Sequence, residues 1–190
     1  MLQHAFKEWA VICEALGQGK QAIILRKGGI AEDDGEFRIE QTRFWLYPTY
    51  AHQQNDGICE DARPLLEQVQ ANRPPAGTLR LQLWAEVTGI YRMREELPAL
   101  LLSHLHYWSE DTVRKRFNYR VPELHLLAVR VYRMPKPHEL LELPAYDGCR
   151  SWVELEKPLS TEGSAPVLSD ADFRLVQKQV DLILSPSAFA

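Results

Sequence analysis

The stretch TLRLQLWAEVTGIYRM (Thr78–Met93) decides the fold class. Apolar residues fall at every second position, Leu79, Leu81, Leu83, Ala85 and Val87, which places them on one face of a strand. A helix would need apolar steps of three and four. Gly89 interrupts the run, and a glycine inside a strand marks a bend.

Downstream, EELPALLLSHLHYW (95–108) and SEDTVRKRF (109–117) read as helical pieces. Ser109 is the expected N-cap of the second, with Glu110 and Asp111 in a first turn whose dipole favours acids. LHLLAVRVYRM (Leu124–Met134) is the most strand-like run of the chain, and SWVEL (151–155) is a short strand. Ser169 and Asp172 form a capping box for a closing helix that carries Phe173, Val176, Val180 and Ile183. Upstream, Asp56–Gln70 reads as a helix ended by NRPPAG, and FRIEQTRFWLY (37–47) as a strand ended by Pro48. QAIILRK (21–27) is a short strand before Gly28 and Gly29. Leu2, Phe6, Trp9, Cys13 and Leu16 recur at three- and four-residue steps, the stripe of an amphipathic helix. Strands in a run with irregular helices predict one α+β domain over residues 1–184, with a mixed or antiparallel sheet or a small barrel, and a tail at 185–190.

Bulk composition narrows the classes. The 190 residues are 45% hydrophobic and 25% charged, as expected of a globular chain able to bury a core. Twenty-two basic against 26 acidic residues argue against a general polyanion binder but leave room for a local patch. Three scattered cysteines, without a Cys-x-x-Cys, support neither a disulfide scaffold nor a thiolate zinc site. Neither a signal peptide nor an apolar run long enough for a membrane is read, so the expectation is a soluble, cytoplasmic chain.

Several motifs carry chemistry. Arg26, Lys27, Gly28 and Gly29 put two cations and two glycines at a strand end, where a backbone can approach an anion. The spacing matches no phosphate loop. In FWLYPTYAHQ (Phe44–Gln53) the first aromatics continue a strand, while Tyr47, Thr49, Tyr50, His52 and Gln53 offer stacking and hydrogen-bonding groups in a turn. Val113–Lys136 holds seven bases and one acid, with Phe117, Tyr119 and Tyr132 among the cations. Arg114, Lys115, Arg116 and Arg120 are its candidate phosphate contacts. The other reading is a solvated face paired with the acidic C-terminal third. His104 and His106 do not share a helix face, so no metal is expected. No cofactor is expected either. Cys149 beside Arg150 reads as a structural thiol.

LRKGGI, FWLYPTYAHQ, RVYRM and GCRSWVEL, in that order and after KEWAVICEAL, make the chain resemble the bacterial domain-of-unknown-function family 1802. The resemblance implies a link to restriction and DNA defence through a restriction-type nuclease partner, and it carries over no catalytic residue. Helix, glycine turn and strand at the start are also similar to PUA-like domains, small barrels that bind RNA or modified bases.

Together these readings predict a non-catalytic nucleic-acid-binding domain for DNA or RNA, reading a modified or flipped base. Trp152 joins Arg26 and the aromatic turn as a candidate ligand contact. The alternatives are a nuclease or base-modifying enzyme using His52, and a protein–protein regulatory module.

Overall fold

A computed structural model describes residues 1–27, 41–51, 53–148 and 150–184. The expectations placed on Gly28, Gly29, His52, Cys149 and the tail 185–190 lie outside the described residues.

Two long strands organise the molecule. β4 (Thr78–Met93) and β5 (Leu124–Leu141) run antiparallel from the pair Thr78↔Leu141 to the pair Met93↔Leu124. Their ladder shifts register between Leu81 and Leu83 and again between Val87 and Gly89, so the bend read at Gly89 is a bulge. The connection between them carries α3 (Glu96–Leu101), a 3-10 turn (Leu102–Leu105) and α4 (Glu110–Asn118). Ser109 caps α4, its hydroxyl accepting from the Thr112 N–H at 3.3 Å.

β3 (Arg43–Thr49) pairs antiparallel with β4 and parallel with β1 (Leu2–Trp9). β6 (Trp152–Leu159) pairs antiparallel with the other side of β1. β2 (Ile23–Arg26) and the two-residue β7 (Ala165–Pro166) lie along the free side of β5. The order is β2-β5-β4-β3-β1-β6. The domain is α+β with a mixed sheet, open rather than closed: among the described residues no ladder joins β2 to β6.

The structure corrects the reading of the N-terminus. Leu2–Trp9 is a strand, and the helix α1 begins only at Ala10 and ends at Gly17. β1 is covered on both faces, with Ala5 in one core cluster and its neighbour Phe6 in the other. A strand buried on two sides loses the alternation that would have marked it, and chance three- and four-residue steps then imitate a helix. Asp56–Gln70 is likewise not one helix. Two 3-10 turns, Asn55–Gly57 and Glu60–Ala62, precede α2 (Arg63–Ala71).

Proline was overweighted as a strand stop. β3 passes Pro48 to reach Thr49, and β5 passes Pro135 and Pro137 to reach Leu141. At Pro48 the β4 ladder has already ended, since it covers only Arg43–Trp45. Beyond Arg133 no ladder among the described residues lies on the outer side of β5. A missing N–H costs little on an open strand edge.

The sheet separates two cores. Phe6, Phe44 and Leu46 face α1 and α2, and Ala5, Trp45 and Tyr47 face Trp84, Val153 and Leu155. Burying each large side chain of this set contributes roughly 1.5–3 kcal/mol. α5 (Asp170–Leu184) is anchored by buried Phe173 and Val180. No described helix is long and apolar enough to cross a membrane.

Candidate functional site

Because β1 and β3 are parallel, their C-terminal ends lie side by side, at the pairs Lys7↔Tyr47 and Trp9↔Thr49. A cleft of about 480 Å³ opens there. The end of β2, the segment 73–80, Glu142, residues 146–148, Arg150 and Ser151 complete its walls. Among the described residues, six cationic side chains line it (Lys7, Arg26, Arg73, Arg80, Arg116 and Arg150) against three acids (Glu8, Glu142 and Asp147).

The deepest charged group is Glu8, 2% exposed on β1. Its Oε1 accepts from the Trp9 N–H at 2.8 Å, and its Oε2 lies 3.5 Å from Arg26 Nη1. Arg26 donates through Nη2 to Ser151 Oγ at 2.8 Å and lies over the Phe6 ring at 4.4 Å. Arg116 reaches the same place from α4. Its guanidinium lies 3.6 Å from the centre of the Trp108 ring and donates to the Leu25 carbonyl at 3.4 Å. Burial pushes the Arg116 guanidinium down to about 10, with Glu8 opposing and Arg26 reinforcing the shift. At neutral pH the Arg116 guanidinium stays charged. One buried carboxylate therefore faces two cations.

Aromatic residues form the walls. Tyr47 donates to Glu142 Oε1 at 2.7 Å, and burial together with that carboxylate holds its phenol well above the usual range. Arg73 lies over the Tyr50 ring at 5.0 Å. Thr49 Oγ1 donates to the Glu8 carbonyl at 3.0 Å, tying the ends of β1 and β3 together. Lys7 Nζ binds the carbonyls of Tyr146 and Gly148 and lies 5.5 Å from the centre of the Tyr47 ring. Trp9 meets Trp108 edge-on at 4.7 Å. A smaller cavity of about 290 Å³ shares Pro48, Tyr50 and Arg80 with the cleft.

The structure thus brings together Arg26, Tyr47, Thr49, Tyr50 and Arg116. Trp152 packs instead against Phe6 at 4.8 Å and Phe44 at 5.1 Å, in the core and outside the cleft lining. Gln53 Oε1 accepts from the Val11 N–H at 2.9 Å, capping α1 from a distant loop. Lys27 Nζ donates to the carbonyls of Phe117, Val121 and Glu123 around the exit of α4. Arg114 pairs with Glu96 and Glu110, and Lys115 with Asp111, all on an exposed helix face. Arg120 adopts φ 60° beyond α4 and lies over the Tyr119 ring at 5.2 Å. None of Arg114, Lys115 and Arg120 lines the cleft.

Sequence reasoning missed Lys7, Glu8, Arg73, Glu142, Arg150 and Ser151. Glu8 had a signal, since a carboxylate inside an apolar pattern is buried only with partners. Among the described residues no group of three or more His, Cys, Asp or Glu could hold a metal ion.

The family model described as Domain of unknown function (DUF1802) matches residues 5–179. The chain belongs to the DUF1802 family. Among solved structures, this DUF1802 chain is similar to ASCH from Zymomonas mobilis at 13% identity and a TM-score of 0.46, covering 92% of this chain and 93% of that one. Two mutant proteins of ZmASCH match at TM-scores of 0.46 and 0.44, with 12% and 14% identity. The first covers 94% of this chain and 98% of its own, the second 94% of each. At these scores the likeness establishes no shared function. No curated protein matches the chain.

Proposed function

We propose that this DUF1802 protein binds nucleic acid in the cleft between the ends of β1 and β3, without chemical turnover. The observation that carries this reading is the lining itself, cationic in excess and walled by Trp9, Tyr47, Tyr50 and Tyr146. Arginines and lysines meet phosphates while aromatic faces stack on bases, and both kinds of group occur here within one concave surface. The volume suits a single nucleotide unit rather than a duplex. That supports the finer reading of a modified or flipped base, taken out of its stack and held beside Tyr50, with the buried Tyr47 backing the wall. The restriction or DNA-defence setting, with a nuclease partner, belongs to this proposal through family membership. Arg114, Lys115 and Arg120, outside the cleft, contribute only long-range attraction.

Fluorescence anisotropy with short single-stranded DNA and RNA and a matched duplex tests it. Binding at low salt should weaken by at least tenfold between about 50 and 200 mM salt. An extrahelical base should tighten duplex binding. Absence of binding at low salt, or affinity indifferent to salt, refutes the reading.

A further inference from the structure

Among the described residues, the floor of the cleft holds more positive charge than the fold neutralises. Glu8 is the acid there, with 1% of its side chain exposed, and the Arg26 side chain beside it is 17% exposed. Their contact of 3.5 Å is far longer than the roughly 2.7–2.9 Å of a well-formed charge-assisted hydrogen bond. The Arg26 Nη2 bond goes to the neutral Ser151 hydroxyl. Among the described residues Arg116 makes one hydrogen bond, at 3.4 Å to the Leu25 carbonyl, and its charge is otherwise backed by an aromatic face. Two planar guanidiniums, each with five N–H donors, are therefore largely unspent. Ser151 accepts from Arg26, which leaves its own hydroxyl proton to donate. A half-compensated cation beneath a cleft is costly to the empty protein and is relieved by an anion.

We propose that Arg26 and Arg116, set around Glu8 and joined by Ser151, form a subsite for one phosphoryl group at the floor of the cleft. The inference deepens the nucleic-acid reading by naming the group that reaches the floor. A tetrahedral oxyanion fits because it accepts from two guanidinium forks and a hydroxyl at once. Glu8 is a positioning residue. It holds Arg26 at the end of β2, and its charge opposes the fall that burial imposes on the Arg116 guanidinium.

The test uses the full chain and inorganic phosphate at millimolar concentration, with chloride at matched ionic strength as reference. Thermal unfolding and calorimetric titration should show a phosphate-specific gain in the wild type. The apparent dissociation constant should rise at least about tenfold in Arg26→Gln and in Arg116→Met. If Arg116→Met does not fold, Arg26→Gln carries the comparison alone. A wild-type response equal to that of Arg26→Gln overturns the subsite. Oligonucleotides should be displaced by phosphate in the wild type. Salt-dependent oligonucleotide binding that phosphate does not compete, and that both variants retain, leaves the nucleic-acid reading standing and removes the subsite. Phosphate binding lost in the variants, with no oligonucleotide bound at all, keeps the subsite and removes the nucleic-acid reading.

Discussion

Arg116 and Trp108 are stacked at 3.6 Å, so the α4 cation that lines the cleft is backed by a ring standing just before the same helix. Trp108 bridges to Ile58 by an isolated ladder pair and meets Trp9 edge-on. It is 2% exposed. Trp108→Ala should cost about 3–5 kcal/mol in urea denaturation, the range for deleting a large buried ring. Trp108→Phe should cost less and keep the cation–ring contact, so oligonucleotide binding should survive in that variant alone.

Gly57 lies against Trp9. A methyl group at its Cβ position would stand 2.5 Å from the Trp9 ring. Gly57→Ala should destabilise by about 1–3 kcal/mol through overpacking. Adding Trp9→Leu should recover part of the loss, which a double-mutant cycle would read as coupling. Additive losses would show that the two positions do not press on each other.

His106 makes stability fall on acidification. Burial lowers its pKa from 6.5 to about 4, with the charges of Arg116 and His104 acting in the same direction. The fold favours the neutral ring, whose Nδ1 accepts from the Trp108 N–H at 3.2 Å. This contribution is complete above about 6.5, declines as pH falls toward 4 and is gone below it. The total is of the order of 3 kcal/mol. Urea midpoints of wild type minus His106→Gln, taken across that window, should carry this slope. Parallel curves would contradict it.

Lys27 and Arg26 are neighbours with opposite expectations. Lys27 closes the exit of α4 on three carbonyls, so Lys27→Met should cost about 1–3 kcal/mol of stability and change oligonucleotide affinity little. Arg26→Gln should weaken binding instead. A binding loss in Lys27→Met with stability unchanged would make Lys27 a ligand contact.

The exposed pairs of α4 should matter least. Arg114→Ala with Lys115→Ala should leave stability nearly unchanged, as exposed ion pairs do. The salt slope of oligonucleotide binding should stay as in the wild type, while Arg116→Met lowers it by about one unit. Equal slopes for both variants would move the phosphate contact out of the cleft.

The sheet was legible wherever one face of a strand met solvent or a single core. Thr78–Met93 alternated and was read as a strand, while Leu124–Met134, its first eight residues all buried, was read as one from its strand-favouring composition. β1 was not, because Ala5 and Phe6 are both buried and the period of two is erased. The site was half legible for a related reason. Arg26, Tyr47, Thr49, Tyr50 and Arg116 stand in motifs that could be read locally, whereas Glu8 and Ser151 come from elements far apart in the chain. The parallel pairing of β1 with β3 and the antiparallel pairing of β1 with β6 bring Glu8 and Ser151 to the same end of the sheet, where α4 adds Arg116. Trp152 looked like a ligand contact because local sequence does not say which face of β6 it takes.

That same placement of β1 has a consequence for the order in which the chain assembles. β1 lies between β3 and β6, and its pairs include Leu2 with Leu159. Such a contact closes a loop of nearly the whole chain, while β4 and β5 need only their intervening helices to meet. The β4–β5 ribbon is therefore the natural nucleus, and β1 docks late with β6 as its cover. A chain truncated before Trp152 would carry β1 as a bare edge beside the cleft, and its failure would be self-association rather than simple unfolding.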